Sequence, residues 1–157
     1  MAKIGIGVIG LGRMGQVYAT YSAGQLADAN LVAVADMREE VVKSFADRVG
    51  NAKSYTDYHD LLADPNVQAV IVTTPTSTHR EVVIAAAEAG KAIFCEKPTA
   101  LTLTATDEMI AAVENAHVMF QVGFMRRFDS GYAAAKQQIE AGTIGDPVVI
   151  RLSLIHI

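Results

Sequence analysis

Five short runs of apolar, largely β-branched residues, IGIGVI (4–9), LVAVA (31–35), AVIVT (69–73), AIFC (92–95) and VMFQV (118–122), are separated by longer segments of helical spacing. This alternation constrains the chain more than any other feature, because a strand that is apolar on both faces must be covered on both. The intervening segments MGQVYATYSAG, REEVVKSFADRVG, YHDLLADP, THREVVIAAAEAG and TATDEMIAAVENA carry apolar residues three and four apart, and several close on Gly or Pro. Strands alternating with helices predict right-handed crossovers and an α/β fold, an open, doubly wound parallel sheet with helices on both faces.

The first chemical signal is GLGRMG, Gly10 to Gly15, between the first strand run and the first helical segment. Gly10 allows a tight turn, Gly12 lets the backbone approach a pyrophosphate, and Gly15 lets the helix pack closely on the strand, as in a Rossmann-type dinucleotide site. The anion would rest on the helix N-terminus, where Arg13 and Met14 offer backbone N–H groups. A glycine-rich turn with no ligand is the alternative. Asp36 shifts the balance: it ends the second run 21 positions after Gly15 (36 minus 15), near the spacing at which a carboxylate reaches the ribose hydroxyls of adenosine. A carboxylate there repels a 2′-phosphate, so NAD is expected over NADP. Met37 and Arg38 follow on the same cofactor edge; Arg38 could face a phosphate, stack on adenine, or be a solvated first-turn residue.

Two further signals fall after later strand runs. TTPTSTH, Thr73 to His79, reads as a cofactor-facing turn in which Pro75 fixes a bend and Thr76, Ser77 or Thr78 caps the next helix. Thr74, Pro75, Thr76 and His79 are its cofactor-side candidates, His79 alternatively being a first-turn residue with a local hydrogen bond. EKP, Glu96 to Pro98, follows AIFC directly. The proline drives Lys97 toward extended geometry, and the ammonium then projects from the carboxyl end of the sheet, where it could hold a substrate and handle its hydroxyl proton. The competing reading is an ion pair between Glu96 and Lys97 or an arginine.

Composition narrows the partners. A net charge of −4 over 157 residues, with acids and bases interleaved, gives no basic face for nucleic acid. No apolar run approaches the roughly 18 to 20 residues that span a bilayer, so no membrane partner is expected. Cys95 is the single cysteine and MAKIGIGVIG runs directly into a strand, which suit a reducing, cytoplasmic setting. Cys95 reads as a small buried hydrophobe, and His59 and His117 lack metal-ligand spacing; no metal site is expected.

GLGRMG, Asp36, TPTSTH and EKP, in this order and at these distances, resemble the Gfo/Idh/MocA family of oxidoreductases. Val122 to Val148, VGFMRRFDSGYAAAKQQIEAGTIGDPV, is similar to the corresponding segment of bacterial inositol 2-dehydrogenases and close cyclitol or sugar relatives, and the likeness runs from residue 3 to about residue 151. The resemblance implies NAD on the glycine loop, Asp36 on the ribose and the TPTSTH turn beside the nicotinamide half, with Glu96 and Lys97 also at the cofactor. Lys97 is then the catalytic-site residue and a substrate ligand, Arg126 approaches the cofactor and Arg127 the substrate hydroxyls. It also implies a second domain that supplies an Asp and a His, the His taking the hydroxyl proton, and that mediates homo-oligomer formation. The expected activity is hydride transfer from a ring hydroxyl of inositol or a related polyol or sugar to NAD. The cofactor-binding part would be inactive alone. The alternatives are a noncatalytic dinucleotide-binding sensor or scaffold, or a family member acting on another sugar, an imine or a biliverdin-like acceptor.

On this reading residues 1–123 form the cofactor domain, 124–146 a connecting loop and helix, and 147–157 the first strand of the second domain, so the sequence reads as truncated. Leu152 to Ile157, LSLIHI, is also the translation of a transposon end used in preparing sequencing libraries. The native chain would then end near Arg151, and His156 is not the family's catalytic histidine.

Overall fold

A computed structural model of the chain describes residues 3–50 and 52–151. It divides into two compact units, Met1–Gly123 and Phe124–Ile157. In the first, β1 (Ile4–Ile9), β2 (Ala29–Ala35), β3 (Lys53–Tyr55), β4 (Ala69–Val72), β5 (Ala92–Cys95) and β6 (Phe120–Val122) form one sheet in the order β3-β2-β1-β4-β5-β6. Every pairing is parallel, with Ile9 opposite Ala35 on one side and Val72 on the other. The doubly wound parallel sheet expected from the alternation is what forms.

Side chains alternate across each strand and so feed two cores. Val8, Leu31 and Val34 pack with Leu11, Ala19, Val42 and Phe45 beneath α1 (Arg13–Gly24) and α2 (Glu39–Val49). Ile9, Ala33 and Val72 face the other way, toward α3 (Tyr58–Ala63), α4 (His79–Glu88) and α5 (Leu103–Ala116). Cys95 is fully buried in this second core, as a small hydrophobe, with its thiol pushed up to about 12 by burial and the neighbouring Glu96 charge.

Three local details were not legible in the sequence. β3 has no apolar run to announce it, because it is an edge strand of three residues with Lys53 and Ser54 exposed. Thr76–Thr78 forms a 3-10 turn, and no hydroxyl caps α4: Thr78 sits near helical geometry and its Oγ1 donates back to Pro75 O at 2.9 Å. α5 ends without glycine, on His117 in the left-handed region at φ 54°.

In the second unit a 3-10 turn, Met125–Phe128, leads into α6 (Ser130–Glu140), which Asp129 caps by accepting from the Gly131 and Tyr132 N–H groups. Residues 147–151 have no regular secondary structure, and 152–157, where the expected terminal strand and His156 fall, lie outside the described residues. Among the described residues no helix is long and apolar enough to cross a membrane.

Candidate functional site

The chain reverses direction across the sheet between β1 and β4, the strands that carry the connections to opposite sides. Ligands of such sheets collect at the carboxyl ends of the strands at this switch point. A cleft of about 450 Å³ opens there, lined by residues that follow β1, β2 and β4, among them Gly10, Gly12, Asp36, Thr74 and Pro75.

The three glycines of the loop are glycine for three different reasons. Gly10 has φ +92°, and a Cβ on it would lie 2.8 Å from Thr74 N. At Gly15 a Cβ would lie 1.8 Å from Gly10 O, so the start of α1 can press on the loop only without a side chain. Gly12 meets no protein atom within 4 Å of where its Cβ would be. It is also the N-cap of α1, with no side chain capping the helix and no acid in its first turn. The first-turn N–H groups of Arg13 and Met14 thus lack intrahelical acceptors and face an open approach, which suits a diphosphate.

Asp36 stitches the loop to β2. Its Oδ2 accepts from Leu11 N–H at 2.8 Å, and Gly10 N–H donates to Ala35 O at 2.8 Å. Partial burial pushes the Asp36 carboxyl up, but hydrogen bonds from Arg38 and Leu11 outweigh it and hold the group below its ordinary range. Arg38 pairs with this carboxylate: its Nε donates to Oδ1 at 2.9 Å and its second terminal nitrogen to Oδ2 at 3.0 Å. With the Arg38 N–H also on Oδ1, at 3.1 Å, the carboxylate is saturated. Any further donor to this carboxylate must therefore displace the guanidinium. The Arg38 side chain is 57% exposed and can turn away into solvent. Met37 beside them is 90% exposed at the rim.

On the opposite wall Thr73 Oγ1 donates to Gly10 O at 2.7 Å, which fixes the glycine turn to the end of β4. The neighbouring Thr74 Oγ1 is buried without any hydrogen-bond partner among the described residues. An orphaned hydroxyl on a residue that lines the cleft fits a polar ligand such as a dinucleotide. Thr56, Tyr58, Thr78 and Glu81 line the same cleft. Thr56 and Tyr58 follow β3, which has no apolar run, so no local sequence pattern marks them.

His79 and Glu96, both expected at the cofactor, have their side-chain polar atoms engaged inside the protein. His79 is 1% exposed, with Nδ1 3.0 Å from Pro98 O and Nε2 2.9 Å from Thr74 O. Its ring ties the β4 turn to the segment after β5. Glu96, 8% exposed, accepts from Tyr18 Oη at 2.6 Å and from Lys97 N–H at 2.9 Å. The expected alternative of a Glu96–Lys97 ion pair is not what forms: the carboxylate holds the lysine's backbone. The Lys97 residue is exposed, and among the described residues no carboxylate pairs with its ammonium. The peptide that joins it to Pro98 is cis.

Arg126 and Arg127 belong to the second unit. Arg126 pairs with Asp129 at 3.0 Å and lies over the Tyr132 ring, 5.3 Å from its centroid. Arg127 is exposed and has no ion-pair partner among the described residues.

Known proteins resemble this chain in sequence and fold. Over 148 residues the chain is 45% identical to the myo-inositol 2-dehydrogenase of Thermotoga maritima, which covers 94% of this chain and 44% of the relative. It is 44% identical over 141 residues to the scyllo-inositol 2-dehydrogenase (NAD(+)) of Bacillus subtilis, covering 90% and 41% respectively. The crystal structure of scyllo-inositol dehydrogenase from Lactobacillus casei, with bound NAD(H) and scyllo-inositol, superposes with a TM-score of 0.87 at 33% identity over 92% of this chain and 43% of that one. The chain thus spans less than half the length of these relatives. Residues 4–124 match the model of the Gfo/Idh/MocA oxidoreductase family, described by its NAD-binding Rossmann fold. With that match over most of its length, the cleft's three distinct glycines and Asp36 at the end of β2, the chain belongs to the Gfo/Idh/MocA family.

Proposed function

We propose that this chain is the cofactor-binding part of an NAD-dependent dehydrogenase that oxidises a ring hydroxyl of inositol or a related polyol or sugar. The observation that carries the reading is the His79 ring, which bonds both Thr74 O in the wall of the cleft and Pro98 O beside Lys97. The exposed lysine and the dinucleotide cleft therefore share one end of the sheet. When bound, NAD supplies the hydride acceptor. The protein's residues bind and orient: Arg13 and Met14 N–H groups hold the diphosphate, and Asp36 takes the ribose hydroxyls once Arg38 has swung away. Thr74 offers its unused hydroxyl, and the Lys97 ammonium holds a substrate hydroxyl and steers its proton. Relatives named for myo- and scyllo-inositol favour a cyclitol.

In this reading residues 1–123 are the cofactor domain and 124–146 lead to a second domain that begins at 147. That domain supplies the proton acceptor and the contacts of a homo-oligomer. Arg127 is assigned to the substrate hydroxyls and Arg126 to the cofactor. The single buried cysteine suits a cytoplasmic protein.

Calorimetric titration of the chain with NAD and NADP tests the cofactor assignment. NAD should bind at least about tenfold more tightly, because Asp36 faces the position of a 2′-phosphate. Asp36→Ala removes hydrogen bonds to a charged acceptor, each worth about 1.5–3 kcal/mol, so NAD affinity should fall about 10- to 100-fold while NADP changes little. A folded chain that binds neither nucleotide would remove the cofactor reading, and unchanged NAD affinity in Asp36→Ala would remove the ribose assignment alone.

A further inference from the structure

A carboxylate 8% exposed at the end of β5 needs a structural reason, because burial without partners is costly. Glu96 spends its two oxygens on different elements. Oε1 accepts from the Tyr18 hydroxyl on α1, 78 residues away in the chain, and Oε2 accepts from the backbone N–H of Lys97. Tyr18 is itself fixed: its ring meets Phe94 of β5 edge to face, with centroids 5.3 Å apart at 63°. Burial first, and then the hydrogen bond and charge of Glu96, push its phenol well above the ordinary range, so it remains a donor at any physiological pH. Gly123, after β6, completes the enclosure; a Cβ there would lie 2.9 Å from the Phe94 ring and 3.3 Å from Glu96 Oε1. α1 is the helix whose N-terminus forms the glycine loop. One carboxylate thus joins the anion-binding helix to the backbone of the exposed lysine.

We propose that Tyr18 and Glu96 are positioning residues, which fasten the Lys97 backbone to α1 so that the helix holding the cofactor's diphosphate also sets the place of the lysine. The proposal rests on the catalytic reading of Lys97 and deepens it. Neither side chain touches the cofactor in this scheme; both act through the lysine's N–H. Removing the phenol leaves the carboxylate free to turn on its remaining bond, and the Lys97 N–H then loses its fixed acceptor.

Amide hydrogen exchange on the full chain, read by NMR, tests this with Tyr18→Phe, a variant that keeps the ring and its packing on Phe94. The Gly123 N–H on Cys95 O and the Thr73 N–H on Ile9 O are internal references. Tyr18→Phe should speed exchange at Lys97 about tenfold while both references stay within about twofold. Glu96→Met, which removes both acceptor oxygens, should also speed Lys97 selectively. ADP-ribose, which supplies the diphosphate without the nicotinamide ring, should slow exchange at Lys97 in the parent chain and fail to do so in Tyr18→Phe. Unchanged exchange at Lys97 in Tyr18→Phe would overturn the proposal, as would equal acceleration at Lys97 and both references, which marks a general loosening of the fold. If ADP-ribose fails to bind the parent chain, the cofactor reading falls, and the unliganded comparison still decides the positioning role.

Discussion

Gly15→Ala is expected to cost about 3 kcal/mol of folding stability, or roughly 10 °C in Tm, whereas Gly12→Ala, three residues away, should leave the fold within about 1 kcal/mol of the parent. The difference is geometric. The new methyl at position 15 would stand 1.8 Å from Gly10 O, 2.7 Å from Thr73 Oγ1 and 2.9 Å from Gly10 C, and the backbone of a turn that is itself fixed by Thr73 has nowhere to retreat. At position 12 the methyl meets no protein atom within 4 Å, and the residue's φ of −67° and ψ of −171° suit alanine as well as glycine. In the proposed binding mode the space the methyl fills is the space through which a diphosphate approaches the first-turn N–H groups. Gly12→Ala should therefore lower NAD affinity by at least about tenfold in a chain that melts like its parent. Thermal unfolding and titration of the two variants side by side check this. A stable Gly12→Ala chain that binds NAD normally would move the diphosphate away from this loop, and a Gly15→Ala chain as stable as the parent would mean that α1 can shift on the sheet.

The parts of this site that were legible in the sequence are those whose chemistry is local. GLGRMG stands between an apolar run and a helical one, and the roles of its three glycines follow from that position. Asp36 is fixed by its distance from the loop along one βαβ unit, and the structure brings it within hydrogen-bonding reach of Leu11. What could not be read is what depends on meetings between distant segments. β3 carries no apolar pattern because an edge strand need not have two covered faces, yet its Tyr55 O accepts from Asp36 N–H at 3.2 Å, and the residues after it line the cleft. His79 and Glu96 are polar residues in motifs, which suggests contact with a ligand. That both are buried, with their polar atoms directed at the protein's own backbone and at Tyr18, follows only from the crossing of α1, β4 and β5. At short range the pairing of Arg38 with the carboxylate two residues before it carries no sequence signal either.

Lys97→Met, placed in the chain fused to the remaining segment of the Thermotoga maritima relative, is expected to lower kcat for oxidation of myo-inositol by about 100- to 10,000-fold while leaving NAD affinity within about threefold. The two effects separate because the lysine's backbone and side chain have different tasks. Its N–H is bound by Glu96 and the Pro98 carbonyl by His79, so the path of the chain past the cleft does not depend on the ammonium. The residue is exposed, and the buried acid beside it in the chain, Glu96, is already occupied with the Lys97 N–H and Tyr18, so methionine in its place leaves no unpaired partner and no cavity. Only interactions made with the reacting hydroxyl are lost, and those appear in kcat. An equal loss in turnover and NAD affinity would make Lys97 a cofactor ligand. Undiminished turnover would hand the substrate hydroxyl to other residues and leave the Tyr18–Glu96 anchor with no catalytic group to position.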